Sequence, residues 1–228
     1  MVEASDSMAT EVEDWKVEHR RKCQVFNDWC EAEGVKMPKL EYPGYFDGGL
    51  VGMRATAPIE HREAFIGIPY KMLITCRGAQ LHPVLGGIIA ENPDIFSDSK
   101  GDWEQLTLVL VLIYEYQKGE ESYWKPYLDL MPDVKFMCNW PEDMISATVD
   151  HGLIKHAGDY KTELESEWAE FCEMMGRYPD VFQASTIDPD LFYKFYAQVC
   201  TRCFGWGLPS TALIPMADNC NHSDVSVV

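Results

Sequence analysis

The order of local patterns constrains this 228-residue chain more than any single motif. Short apolar runs broken by glycine and proline fill residues 41–75, and we predict small strands at 64–69 and 72–75 among tight turns. Helical periodicity then dominates residues 77–202, and a strand pattern returns at 212–216. A β-rich fold interrupted by a large helical insertion explains this order, so the fold class is predicted to be α+β.

The N-terminal stretch is predicted to be a tail followed by a helix. Residues 1–10 are small, polar and acidic, and we expect a disordered tail there. Residues 11–40 form a predicted helical segment, because apolar or half-apolar side chains recur at helical spacing: Trp15, His19, Cys23, Phe26 and Cys30. Gly34 follows Glu33 at the position where a helix-terminating glycine belongs.

Three further helices are predicted in the insertion. The apolar run Leu106–Tyr114 is typical of a buried helix, with Asp102 as its expected cap. A second helix has glutamates on one face and an apolar face on the other: Leu164, Trp168, Phe171, Cys172 and Met175. Asp188, followed by proline, is predicted to cap a third helix that ends near Cys203.

Charge, cysteine usage and hydropathy exclude several classes of function. The chain has 19 Lys and Arg against 37 Asp and Glu, a formal net charge of −18, which excludes nucleic acid as the obvious partner and suits a basic protein. The longest apolar run, Leu106–Tyr114, is too short to cross a bilayer, so we expect no membrane partner. Eight cysteines without an export signal indicate a reducing compartment, and we expect a cytoplasmic or nuclear protein.

A dense polar segment, Ala217–Ser223, follows the last apolar strand directly. It is typical either of hydrogen-bonding groups that face a ligand or of a surface turn. A zinc site is a third interpretation, because four soft ligands are present: Cys200, Cys203, Cys220 and His222. The first two lie in a helical pattern and the last two are spaced more closely than usual zinc pairs. We therefore expect packed thiols and no metal.

Four stretches, in order, carry a resemblance to a known family: Leu50–Thr56, Glu63–Pro69, Ser122–Pro132 and Leu213–Ser223. Together they resemble the SET-domain protein methyltransferases, in particular the class that includes the Rubisco large-subunit methyltransferase. The fourth stretch (LIPMADNCNHS) is the most specific. The resemblance implies small β-sheets of a SET domain interrupted by a helical insertion. It divides the chain into an N-terminal SET part at 41–76, the insertion at 77–200 and the start of the C-terminal SET part at 201–228.

The resemblance also implies a cofactor, S-adenosylmethionine (AdoMet). The residues that it assigns to the cofactor are Gly52, Glu63, Phe65, Arg202, Asp218, Asn221 and His222. In the family, the glycine lies against the methionine moiety, and the backbone at the positions of Glu63 and Phe65 flanks adenine and ribose. An AdoMet ammonium needs oxygen acceptors and its carboxylate needs a cation, which agrees with Arg202 near the carboxylate.

Three positions concern the acceptor: Thr201, Phe204 and Ala217 would line the substrate channel by resemblance. Histidine-methylating relatives carry Asn at the position of Phe204 and Trp at the position of Ala217, so this chain looks like the lysine-methylating members. An apolar ring can wall a channel around a lysine stem, whereas Asn could hydrogen-bond an imidazole. We therefore expect a protein substrate with an exposed lysine.

The family's closing segment follows the NHS motif and includes the tyrosine that lines the methyl channel. This segment does not occur before Val228, so no catalytic residue is assigned and we expect a fragment or an inactive product. A second interpretation from another class stays open. The chain could be a non-catalytic SET-like module that acts as a binding or structural subunit.

Overall fold

The computed structural model describes residues 2–183, 186–205 and 207–222, with side chains from residue 15 onward. Ser223, the last residue of the NHS motif, lies outside the described residues. The described chain folds as two compact units. The first unit contains residues 2–73, 123–130 and 214–222, and the second contains residues 74–122, 131–183, 186–205 and 207–213.

Helices dominate both units, and the strands are short. The helices are α1 (Val2–Glu33), α2 (Cys76–Leu81), α3 (Leu85–Glu91), α4 (Pro93–Phe96), α5 (Trp103–Gln117), α6 (Lys125–Leu130), α7 (Glu142–Ser146), α8 (His151–Gly176) and α9 (Pro189–Arg202). The strands are β1 (Leu40–Tyr45), β2 (Val51–Ala55), β3 (Ile74–Thr75) and β4 (Ala212–Leu213). Large helical content with small antiparallel sheets confirms the predicted α+β class.

The long helix α1 and an antiparallel hairpin build the first unit. The backbone of α1 begins at Val2, through the segment predicted to be a disordered tail, because neither glycine nor proline interrupts the chain before Gly34. Gly34 ends the helix as predicted, with φ at +100° and its N–H donating to Cys30 O. Strands β1 and β2 pair in antiparallel register, and Gly44 lies opposite Gly52.

The tryptophan–tyrosine segment at 123–130 belongs to the first unit, although the sequence placed it inside the insertion at 77–200. Side-chain hydrogen bonds explain this, since Trp124 Nε1 donates to Met72 O at 2.9 Å. The hydroxyl of Tyr123 donates to Glu33 Oε2 at 2.8 Å. Both bonds hold the start of α6 against parts of the chain that lie far away in sequence.

A largely apolar helix, α5, lies in the second unit. Residues of α5 between Leu106 and Ile113 are buried on every face, as the apolar run predicted. Asp102 is the N-cap residue of α5, as predicted, but its carboxylate accepts from the buried Tyr196 hydroxyl at 2.8 Å and makes no capping bond to the helix backbone. The cap at Asp188 is confirmed, since its carboxylate accepts from Leu191 N at 2.8 Å.

The strands are shorter than the apolar runs predicted. The run at 64–69 makes one antiparallel bridge, between Gly67 and Lys36, and the run at 212–216 contributes two paired residues, Ala212 and Leu213. Proline lies at the end of each run or just after the paired residues, and proline lacks the N–H that a sheet ladder needs.

The eight cysteines, all within the described chain, are free thiols. Cys172 is exposed, so the apolar face predicted for α8 is wrong at this position, while its neighbour Phe171 is fully buried. None of the helices in residues 2–183, 186–205 and 207–222 combines the length and apolar composition needed to span a bilayer.

Candidate functional site

The last described segment of the first unit contacts strand β2 through Asn221, which lies against Gly52. Asn221 Nδ2 donates to Val51 O at 3.2 Å. A Cβ built on Gly52 would lie 1.6 Å from Asn221 Oδ1 and 2.3 Å from its Cγ, so any side chain at this position would displace the Asn221 carboxamide. Glycine at position 52 therefore leaves the space that the Asn221 side chain occupies, and two residues assigned to the cofactor by resemblance lie in contact.

A tight turn places Asn221 there. Met216 is buried and has φ at +78°, a conformation that non-glycine residues rarely adopt. A 3-10 turn at Ala217–Asn219 follows, and the N–H of Asp218 donates to Ile214 O at 3.2 Å. The segment then meets β2 again, since the sulfur atoms of Cys220 and Met53 are 3.2 Å apart.

Asp218 lies on this turn and makes a part-buried polar contact. The Tyr127 hydroxyl donates to Asp218 Oδ2 at 2.7 Å. The carboxylate also influences Cys30, because burial first, and then the negative charges of Asp218 and Glu33, raise the pKa of that thiol to about 12. The turn therefore carries a carboxyl group that is held by a buried tyrosine.

Glu63 and Phe65 lie in a loop of the first unit. Glu63 Oε2 accepts from Lys39 Nζ at 2.7 Å and from Glu60 N at 2.8 Å, so its side chain holds the loop. Phe65 has 42% of its surface exposed. The roles assigned to both residues concern the backbone beside adenine and ribose, and those roles stay predictions.

We expect the Glu63 carboxyl to titrate below its usual range. The Lys39 ammonium and the Glu60 N–H favour the charged form and lower the pKa of Glu63. Its contribution to stability is thus present above the unfolded pKa of about 4.3 and is lost as the pH falls through the lower folded pKa. A carboxyl NMR titration should show a low midpoint that rises in Lys39→Ala. A midpoint unaffected by that substitution would contradict the pairing.

Three predicted residues lie in the second unit, at the end of α9 and just beyond it. Thr201 Oγ1 donates to Ala197 O at 2.7 Å, and Arg202 is the last residue of the helix. The Phe204 backbone exchanges two hydrogen bonds with Ala212, at 2.8 and 2.9 Å. Bonding to Ala212 fixes the Phe204 backbone, and its ring is 38% exposed. Their cofactor and channel roles stay predictions.

The four candidate zinc ligands do not form a metal-binding group in the described part of the chain: Cys200, Cys203, Cys220 and His222. Within the part of the chain that the structure describes, no three His, Cys, Asp or Glu side chains lie close enough together to hold a metal ion. His222 and Asn221 are both exposed at the end of the described chain.

Sequence reasoning did not assign a site role to Tyr127 or to the carbonyl of Val51. Tyr127 is the tyrosine of the Pro-Tyr pair in the third motif stretch, so its position in that motif was the available signal. The Val51 carbonyl carries no sequence signal, because every residue has one and only the fold determines what it faces.

Two curated relatives of this chain are protein N-methyltransferases. No family model matches the chain. The N-lysine methyltransferase setd6 of Salmo salar is 26% identical, over 94% of this chain and 50% of the relative. The actin-histidine N-methyltransferase of Canis lupus familiaris is 24% identical, over 86% of this chain and 34% of the relative. The chain therefore spans half or less of the length of these two curated relatives.

Solved structures show the same fold. The SET domain of LSMT bound to lysine and AdoHcy matches with a TM-score of 0.76 and 20% identity, over 92% of this chain and 45% of that one. Rubisco LSMT bound to AdoMet matches with a TM-score of 0.73 and 21% identity, over 89% and 45%. The chain thus has the SET fold. The resemblance to the LSMT-like class of SET-domain methyltransferases, stated from four motif stretches, is confirmed.

Proposed function

We propose that this chain is the cofactor-binding part of an AdoMet-dependent protein N-methyltransferase that takes lysine as its acceptor. The contact of Asn221 with Gly52 carries the proposal, because it joins the most specific motif to the strand assigned to the cofactor. The names of the curated relatives and the ligands of the LSMT structures support the same activity.

The residues fit AdoMet by their chemistry. The first unit offers carbonyl, carboxamide and carboxylate oxygens for an ammonium, from Val51, Asn221 and Asp218, and Arg202 offers a guanidinium for a carboxylate. The absence of a side chain at Gly52 leaves room for the Asn221 carboxamide beside the strand assigned to the cofactor. When bound, AdoMet supplies a methyl group on a sulfonium sulfur, which leaves as the thioether AdoHcy once a nitrogen lone pair takes the methyl.

The chain's own residues would act mainly by binding and orientation. A displacement of this kind needs the amine held in line and water kept away, rather than an acid–base pair. Phe204 and Thr201 would wall the channel around the lysine stem, and Ala217 would leave space beside Asp218. The lysine ammonium must first give a proton to solvent, because only the neutral amine has the lone pair that takes the methyl group.

Lysine is favoured over histidine by two positions. Phe204 and Ala217 replace the Asn and Trp that the histidine-methylating pattern carries. Both kinds of enzyme occur among the curated relatives, so this choice depends on those two side chains and their apolar chemistry. The net charge of −18 favours a basic protein substrate, and a cytoplasmic or nuclear location stays a prediction.

Peptide labelling tests the proposal. We expect the protein, expressed from its complete coding sequence, to transfer tritiated methyl groups to lysine-containing peptides, with Lys→Arg peptides unlabelled. Hydrolysis and amino-acid analysis should give methyl-lysine. Label found only as methyl-histidine would overturn the choice of acceptor. Absence of both label and AdoHcy binding would instead favour the non-catalytic SET-like subunit.

A further inference from the structure

We infer that Tyr127 is a positioning residue, whose hydroxyl holds Asp218 and thereby the turn that places Asn221 against Gly52. The consequence for AdoMet rests on the proposed function, whereas the positioning itself concerns the chain alone. The geometry is a hydroxyl–carboxylate bond between residues 91 positions apart in sequence, at 2.7 Å.

The Tyr127 hydroxyl is presented by a well-held side chain. Its residue is 2% exposed, and its ring stacks on Phe26 of α1 with centroids 6.2 Å apart. The start of the same segment is fixed independently, through Trp124 to Met72 O and through Tyr123 to Glu33. The donor therefore reaches Asp218 from a fixed direction and at little cost in side-chain entropy.

The turn that receives this bond is one that needs support. Met216, two residues before Asp218, has φ at +78°, and such strain persists only where surrounding contacts over-determine the backbone. Asp218 receives the hydroxyl at the centre of the 3-10 turn Ala217–Asn219. Asn221 follows three positions later, so a change in the Asp218 side chain would move the carboxamide relative to Gly52.

Two tyrosines of this segment provide a matched comparison. Tyr127→Phe keeps the ring on Phe26 and removes one hydroxyl–carboxylate bond. Tyr123→Phe removes a bond of the same kind and nearly the same length, 2.8 Å, but to Glu33 on α1, which is not part of the turn, and Trp124 still anchors the segment to Met72 O. A merely structural role predicts similar effects of the two substitutions, whereas positioning predicts a difference.

The expected result in the 228-residue chain is a loss of AdoHcy affinity by calorimetry, about tenfold or more in Tyr127→Phe and less than twofold in Tyr123→Phe. Both tyrosine substitutions should lower the midpoint of thermal unfolding, and by similar amounts. The side-chain amide resonances of Asn221 and the backbone amide of Gly52 should shift in Tyr127→Phe and stay in place in Tyr123→Phe. In the double variant with Asp218→Asn, the effect of Tyr127→Phe on AdoHcy affinity should largely disappear.

The NMR resonances and the AdoHcy affinity together separate the role of Tyr127 from the proposed function. Unshifted Asn221 and Gly52 resonances in Tyr127→Phe would overturn the positioning role, as would equal effects of the two tyrosine substitutions on affinity. A wild-type chain that binds no AdoHcy would count against the proposed function, and the resonance shifts would still decide the role of Tyr127.

Discussion

Replacing Gly52 with alanine is expected to lower the affinity for AdoHcy by at least about 100-fold. The added Cβ would lie 1.6 Å from Asn221 Oδ1, far inside any tolerated contact, so the Asn221 side chain must leave its place on β2. The bond to Val51 O is then lost together with the carboxamide oxygen offered to the cofactor. Calorimetric titration with AdoHcy measures the effect.

Gly67→Ala is the matched control in the same unit. A Cβ at Gly67 would meet Lys36 at 4.0 Å, which is ordinary van der Waals contact, and we expect affinity within a factor of two of the wild type. The double variant Gly52→Ala/Asn221→Ala removes the clash, so its thermal midpoint should recover while its affinity does not. An unchanged affinity in Gly52→Ala alone would contradict the placement of Asn221.

Phe171→Ala is expected to destabilise the second unit by about 3–5 kcal/mol. Phe171 is fully buried in α8, and its ring contacts Phe96 and Phe192 with centroids 5.9 and 5.2 Å away. Truncation leaves a cavity among aromatic side chains that can collapse only partly. Urea denaturation measures the loss, and Trp168, whose ring lies 5.6 Å from Phe192, reports on this cluster by fluorescence.

Cys172→Ala tests whether the destabilisation expected in Phe171→Ala comes from the buried face of α8. Cys172 follows Phe171 directly but is exposed, so its truncation should change the free energy of unfolding by less than about 0.5 kcal/mol. Similar losses of unfolding free energy in Phe171→Ala and Cys172→Ala would contradict the burial of Phe171 and the exposure of Cys172.

Helix ends that are marked by a capping residue or a terminating glycine could be predicted from the sequence. Asp188 with its proline, and Gly34 after α1, act through atoms within a few residues, and both predictions are confirmed. Asp102 has the residue type of a cap but bonds Tyr196, which lies 94 positions away. Propensity describes what a side chain does with its neighbours in sequence, and a buried hydroxyl nearby in space can compete with it.

The motifs predicted the fold and the class, because a SET fold requires particular residue types in a particular order. They also named Gly52 and Asn221 separately as cofactor residues. That the two touch, although Val51 and Asn221 are 170 positions apart, depends on how the turn after β4 is folded.

Local patterns were thus sufficient for the kinds of elements, their approximate order and the residue types available for AdoMet, since periodicity, caps and turn residues act over a few positions. They could not assign the segment at 123–130 to the first unit, show that Tyr127 holds Asp218, or orient Cys172 outward. Those features come from contacts between distant parts of the chain, and burial decides them by requiring each polar group to find a partner.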